Sequence, residues 1–344
     1  MRLSAASDVY KRQTETSYFN RMTTLSQKMN DRGMTEMSQL RKAPEGILGF
    51  PVAPFNREGK LEEEALYENI RFLLDEGLEA VFIACGSGEF QSLSTKEYEQ
   101  MVEIAVSAAD GKVPVYTGVG GNLSTALEWA RISEEKGADG YLILPPYLIH
   151  GEQEGLYQYT KTIIESTDLN AIIYQRDNAV LTLEQIQRLT DLEQLVGLKD
   201  GIGDMALNIS LSYTIGDRLG WLNGMPMAEV TMPAYAPIGF TSYSSAISNY
   251  IPHISRMFYE ALLNGNDRLV KEIYEQVIIP INEIRKLRKG YAVSLIKAGM
   301  EIMGLHVKNT ARPPIVPVEK EHCRQLENIL KNAMARYPKT TAAL

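Results

Sequence analysis

The sequence predicts an α/β protein: a closed (β/α)₈ barrel, that is a TIM barrel, with a C-terminal helical extension. Three observations lead there. From Gly46 onward, eight short runs rich in β-branched and aromatic residues recur at regular intervals. Amphipathic segments with capping residues lie between them, the pattern of a parallel sheet with crossover helices. The stretch 46–249 also approaches the roughly 250 residues typical of a barrel. The strand runs are Ile47–Val52, Ala80–Ala84, Val113–Gly118, Gly140–Leu144, Ala171–Tyr174, Leu195–Lys199, Gly220–Asn223 and Ile238–Ser242. Helical patterns cover Lys60–Glu76, Thr95–Ala109 after Ser94, Thr125–Lys136 after Ser124, Glu154–Glu165, and Leu183–Leu189 after Thr182, the Ser and Thr residues standing as N-caps. Pro226, Pro233 and Pro237 make the seventh and eighth units the least regular. A doubly wound open sheet is the structural alternative.

Beyond the eighth unit, Pro252–Leu263, Asp267–Lys286, Tyr291–Met303 and Glu319–Ala335 are helical by spacing. They form an extension expected to cover one flank of the barrel or build an oligomer contact. The chain thus divides into a tail (1–45), a barrel (46–250) and a helical extension (251–344). The tail carries eight basic and five acidic residues, against an excess of acid in the rest. It has no apolar stretch of the kind that marks a secretory signal. Asp8 and Glu15 weigh against a transit peptide, Arg2–Gln13 resembles translated adapter sequence, and Met29, Met34 or Met37 is an alternative start.

Composition narrows the function. With 35 basic and 43 acidic residues, the net charge of −8 argues against nucleic acid or an anionic membrane as the main partner. The apolar stretch Gly140–Ile149 is broken by Pro145 and Pro146 and is far shorter than the roughly 20 residues of a membrane span. A cytoplasmic location is expected. Cys85 and Cys323 lie far apart and there are only four histidines, so neither a disulfide scaffold nor a zinc site is expected.

In a barrel, reactive groups belong at the C-terminal ends of the strands. The second strand runs into Cys85-Gly86-Ser87-Gly88-Glu89, where two glycines around a hydroxyl expose backbone N–H groups suited to a carboxylate or phosphate. A plain tight turn is the competing reading. The sixth strand ends in Gly197-Leu198-Lys199-Asp200-Gly201, which puts a lysine at the barrel mouth. A strand-end lysine is ordinarily solvated. Here a phenol, Tyr174, ends the neighbouring strand and points at the same rim. A Schiff-base lysine must be unprotonated to attack a carbonyl, which requires a fall from about 10.4 toward 7–8 through desolvation and nearby positive charge. Tyr174 would then shuttle protons. Tyr147, Arg176, Ser244 and Ser245 are candidates to line the same mouth, each with loop packing as its bland alternative. Lys297, among Ala292, Leu295 and Ile296, reads as a structural helix lysine whose ammonium extends to solvent.

Together these residues resemble the dihydrodipicolinate synthase/N-acetylneuraminate lyase superfamily of Schiff-base barrels, over Gly46–Ala335. The shared runs are Gly86-Ser87-Gly88-Glu89-Phe90, Tyr174 with Arg176-Asp177-Asn178, Leu198-Lys199-Asp200-Gly201 with Gly203-Asp204, Tyr243-Ser244-Ser245-Ala246, and Gly290-Tyr291-Ala292-Val293-Ser294 with Lys297-Ala298-Gly299. The Tyr-Ser-Ser-Ala and Gly-Tyr-Ala-Val-Ser runs are closest to a decarboxylating dehydratase branch. Gly86 stands where the wider superfamily has a hydroxyl residue, and Gln175 where that branch usually has Asn.

The resemblance implies a six-carbon 2-keto diacid as substrate and Lys199 as the residue that condenses with its ketone. It implies Tyr174 as proton shuttle, and Gly86, Ser87 and Gly88 as the holders of the neighbouring carboxylate. Tyr147, Arg176, Ser244 and Ser245 would meet the hydroxyls or the far carboxylate. No cofactor and no metal are implied, and a homo-oligomer, in the form of a tetramer, is. A retro-aldol lyase or condensing synthase on the same scaffold is one alternative, and a non-catalytic sugar-acid binding protein is another.

Overall fold

The structure is a computed structural model that describes residues 41–339. Residues 1–40, with nearly all of the expected tail, lie outside the described residues.

Eight parallel strands close into a barrel in sequence order: β1 (Ile47–Gly49), β2 (Ala80–Ile83), β3 (Val115–Gly121), β4 (Gly140–Pro146), β5 (Asn170–Gln175), β6 (Leu195–Asp200), β7 (Gly220–Asn223) and β8 (Ser242–Ser244). β8 pairs with β1, so the open-sheet alternative is excluded. Alternation along each strand separates two apolar layers. The inner one gathers Leu48, Phe50, Ala80, Phe82, Tyr116, Leu142, Ile172, Val196 and Leu222. At its heart Phe50 stacks on Phe82 at 4.6 Å and Phe82 on Tyr116 at 5.0 Å between ring centroids. Ala43, three residues ahead of the expected barrel start, already belongs to this layer. The outer layer packs Ile47, Val81, Ile83, Val115 and Ile173 against the helices.

The helices between strands are α1 (Glu63–Asp75), α2 (Thr95–Ala109), α3 (Leu123–Glu135), α4 (Gln153–Ile164), α5 (Leu183–Leu189), α6 (Met205–Ile215) and the short α7 (Met232–Tyr235). Ser94 caps α2 and Thr182 caps α5, as the sequence predicts, and Glu97 completes a reciprocal capping box with Ser94. Asn122 rather than Ser124 caps α3, and Asp204 caps α6.

The eighth strand departs from expectation. The apolar run at Ile238 is a 3₁₀ turn, Ala236–Ile238, stopped by Gly239 at φ 91°, and the strand begins only at Ser242. Pro237 supplies no ladder N–H, so that run cannot enter a central strand.

The extension comprises α8 (Pro252–Leu263), α9 (Asp267–Ile273), α10 (Ile279–Lys286), α11 (Tyr291–Ile302) and α12 (Lys320–Arg336). α9 and α10 run on through a π-turn at Tyr274–Ile278. Pro280 lies just beyond it, and a wider turn relieves the clash its ring would make with a carbonyl four residues back. Among the described residues, no helix is long and apolar enough to cross a membrane.

Phe82 is fully buried in the middle of the aromatic stack. Phe82→Ala is expected to cost about 3–5 kcal/mol in urea unfolding. A loss below about 1 kcal/mol would show that the stack does not hold the barrel interior.

Candidate active site at the barrel mouth

Lys199 and Tyr174 are direct register partners across β5 and β6. The register irregularity near Leu195 matters here: Ala171 pairs with Leu195, but Ile172 pairs with Gly197, skipping Val196. That one-residue bulge brings Lys199 onto the interior face shared by Ile172 and Tyr174. The side chain is only 4% exposed, with its Nζ 3.8 Å from the centroid of the Phe50 ring and 4.7 Å from that of Tyr174. Burial draws the amine down to about 7, and the charge of Arg176 adds to the fall. No acidic side chain pairs with it among the described residues. Gly224 lets the lysine lie flat, since a Cβ there would sit 2.6 Å from both Lys199 Cγ and Cε.

The Tyr174 hydroxyl donates to the Gly224 carbonyl at 3.0 Å and accepts from Arg176 Nη1 at 3.0 Å. Burial raises its pKa, Arg176 opposing, so the phenol keeps its proton at neutral pH. Arg176 spends a second nitrogen on exposed Asp177, at 3.6 Å. Cys85 is the other titratable neighbour of Lys199, and burial pushes its thiol up to about 12, leaving it neutral.

The turn after β2 is drawn tight: Glu89 N–H donates to the Gly86 carbonyl and Phe90 N–H to that of Cys85. The Ser87 and Gly88 amides donate to no acceptor among the described residues, and a Cβ at Gly86 would meet open space. Two unpaired amides in one turn are the feature from which an anion cradle can be built. Ser244 pairs with Leu48, whose side chain belongs to the inner layer, and its hydroxyl has no hydrogen-bond partner among the described residues.

Two expected site residues do not join this group. Ser245 is turned outward and buried: its hydroxyl donates to Glu229 Oε1 at 2.6 Å, lies 2.8 Å from Ser255 Oγ and receives the Ser248 amide at 3.0 Å. It follows Ser244 directly, so alternation sends it to the opposite face. Tyr147 is 70% exposed beside Leu148 and Ile149 and makes no bond to the central pair. Gln175 also faces away from the site, its Oε1 receiving the Leu181 amide at 2.7 Å.

Several groups escaped the sequence reading. Asp200 is buried just after Lys199, and its carboxylate accepts from Ile202 N–H, Gly203 N–H, Asn208 Nδ2 and the Tyr235 hydroxyl. Among the described residues it fixes the strand end through four donors and no cation. Burial raises the Glu229 pKa, and its Oε2 has no partner among the described residues. Arg285, half-buried on α10, donates from Nε to Asn282 at 2.9 Å; burial and the charge of Arg176 both lower its pKa. Lys297 corrects the expectation of a solvent-reaching side chain: it is wholly buried and ion-paired with Glu89.

The model of the dihydrodipicolinate synthetase family matches residues 43–333. The chain belongs to that family. It is 81% identical, over 90% of its length and 100% of the relative's, to a protein of Bacillus subtilis (strain 168) described as "probable 5-dehydro-4-deoxyglucarate dehydratase". A protein of Oceanobacillus iheyensis with the same description is 63% identical over 87% of this chain and 97% of its own. Among solved structures, dihydrodipicolinate synthase from Oceanobacillus iheyensis superimposes with a TM-score of 0.78 at 28% identity, covering 84% of this chain and 96% of that one. Lys199 and Tyr174, singled out by the sequence analysis, are register partners within the matched residues.

The buried amine carries a stability consequence. The folded-state pKa lies near 7 and the unfolded one near 10.5, so folding disfavours the charged form. The cost is full below about pH 7 and fades as pH rises toward 10.5. Lys199→Met should therefore raise the melting temperature at neutral and lower pH, with a gain that shrinks as pH climbs. A gain independent of pH would show that burial does not depress the amine.

Proposed function

We propose that this chain is a Schiff-base lyase that dehydrates and decarboxylates 5-dehydro-4-deoxy-D-glucarate to 2,5-dioxopentanoate, water and carbon dioxide. The observation that carries the reading is a desolvated lysine amine in register with a protonated phenol at the mouth of a closed barrel. At pH 7 an ordinary lysine is neutral in about one molecule in 3,000, whereas one near 7 is neutral in about half. The relatives' shared description supplies the substrate and the reaction class.

The Ser87 and Gly88 amides, with Gly86 leaving room before them, receive the carboxylate beside the ketone. Lys199 attacks the keto carbon, and Tyr174 gives and takes the protons that turn the carbinolamine into an iminium, with loss of water. The cation acidifies the adjacent CH₂. Loss of that proton gives an enamine, which expels the β-hydroxyl as water and leaves a conjugated iminium. The far carboxylate then leaves as carbon dioxide, its bonding electrons flowing through the new double bond to nitrogen. Protonation and hydrolysis, which consumes one water, release the semialdehyde and return the free amine.

Arg176 and Ser244 face the remaining hydroxyls and the departing carboxylate. Arg176 already spends Nη1 on Tyr174 and Nε on Asp177, which keeps it from a bidentate grip that would stabilise the ground state. Exposed Tyr147, Leu148 and Ile149 beside the mouth support assembly as a homo-oligomer, in the tetrameric form the resemblance implies. The location we infer is cytoplasmic.

Borohydride reduction with bound substrate should add the ligand's mass at Lys199, and Lys199→Ala should stay folded while losing activity by about three orders of magnitude or more. Release of pyruvate or tartronate semialdehyde in place of carbon dioxide would identify a retro-aldol enzyme. Saturable binding with Lys199 unmodified would identify a mere binding protein.

A further inference from the structure

The turn that offers the Ser87 and Gly88 amides ends in a buried charge. Glu89 follows Gly88 directly, is fully enclosed and has φ 55°, while Ala84 at the other end of the turn has φ 52°. Between these two left-handed residues the backbone is drawn so close that a Cβ on Gly88 would lie 3.0 Å from the Ala84 Cα. One carboxylate oxygen of Glu89 is ion-paired with Lys297, equally enclosed on α11, and the other accepts the Arg312 N–H at 2.9 Å. The Lys297 ammonium lies 4.7 Å from the centroid of the Phe55 ring. Among the described residues the further charged group against the pair is the Arg312 guanidinium, which is itself bound to Glu97.

A buried ion pair is weak as a device for stability, because an apolar pair of similar volume serves as well or better. Its placement suggests another use. An uncancelled carboxylate one residue from the cradle would repel, in a low-dielectric interior, the carboxylate the cradle must hold. We propose that Lys297 is a positioning residue for the substrate carboxylate: its ammonium cancels the Glu89 charge behind the Ser87 and Gly88 amides, so that the C-terminal extension forms part of the active centre. The proposal rests on the reading that these amides bind the keto-acid carboxylate.

The test follows KM and kcat for carbon dioxide release from 5-dehydro-4-deoxyglucarate in the full chain, its Lys297→Met variant and the double variant Glu89→Gln, Lys297→Met. Removing the ammonium alone should raise KM about tenfold or more, with kcat within about threefold of the wild type. The double variant, which removes the carboxylate as well, should return KM to within about threefold of the wild type. Where Lys297→Met does not fold, Lys297→Gln, which keeps a donor for Glu89 without a charge, should raise KM in the same way. An unchanged KM in the single variant, or a raised KM that persists in the double variant, overturns the proposal while leaving the functional reading intact. A wild type that releases no carbon dioxide from this diacid overturns both.

Discussion

The site depends on keeping one amine out of water. Lys199 is enclosed by the Phe50 and Tyr174 rings and has no carboxylate partner among the described residues, which is what lowers its pKa into the working range. An ion pair with an acid would do the reverse, holding the proton on nitrogen. The nearest titratable neighbours are consistent with that demand: Cys85 is a neutral thiol, Tyr174 a protonated phenol, and Arg176 a cation. The closed barrel makes this possible, because only an enclosed interior filled by Phe50, Phe82 and Tyr116 can present an apolar floor beneath the amine.

Other charges are buried around this centre, each handled differently. Asp200 is met by four neutral donors, Glu89 by an ammonium and an amide, and Glu229 by a serine and an amide, with burial favouring its neutral form. Each lies at or beside a loop that follows a strand's C-terminal end. The mouth of the barrel is thus held by polar networks in its walls, while the strands below are held by apolar packing. Such networks are costly when incomplete, and their geometry is correspondingly restrictive.

Much of this was legible in the sequence, for reasons that differ by residue. Apolar runs lead into Lys199 on β6 and Tyr174 on β5, and strand order then puts the two on adjacent strands, though not on a particular face. Ser94 and Thr182 announce helix starts through local hydrogen bonding that depends on a few consecutive residues. Failures came where distant contacts decide. β8 carries only Ser242, Tyr243 and Ser244, so the apolar residues before it looked more like a strand than the strand itself. Ser244 and Ser245 are equivalent as letters, and only the register with Leu48 sends one inward and the other to Glu229. Lys297 finds Glu89 across 208 positions, a pairing that no local pattern encodes. The bulge at Val196, which sets the phase of Lys199, is likewise a property of strand pairing.

The most direct test of the account is the ionisation of Lys199 itself, free of any substrate. Competitive acetylation of the intact protein by trace acetic anhydride, read peptide by peptide across pH, reports the neutral fraction of each lysine. The account predicts a Lys199 midpoint near 7, about three units below the exposed lysines that serve as internal reference. A midpoint alongside those lysines, near 10, would mean the amine is solvated and charged at neutral pH, and would contradict the mechanism at its first step.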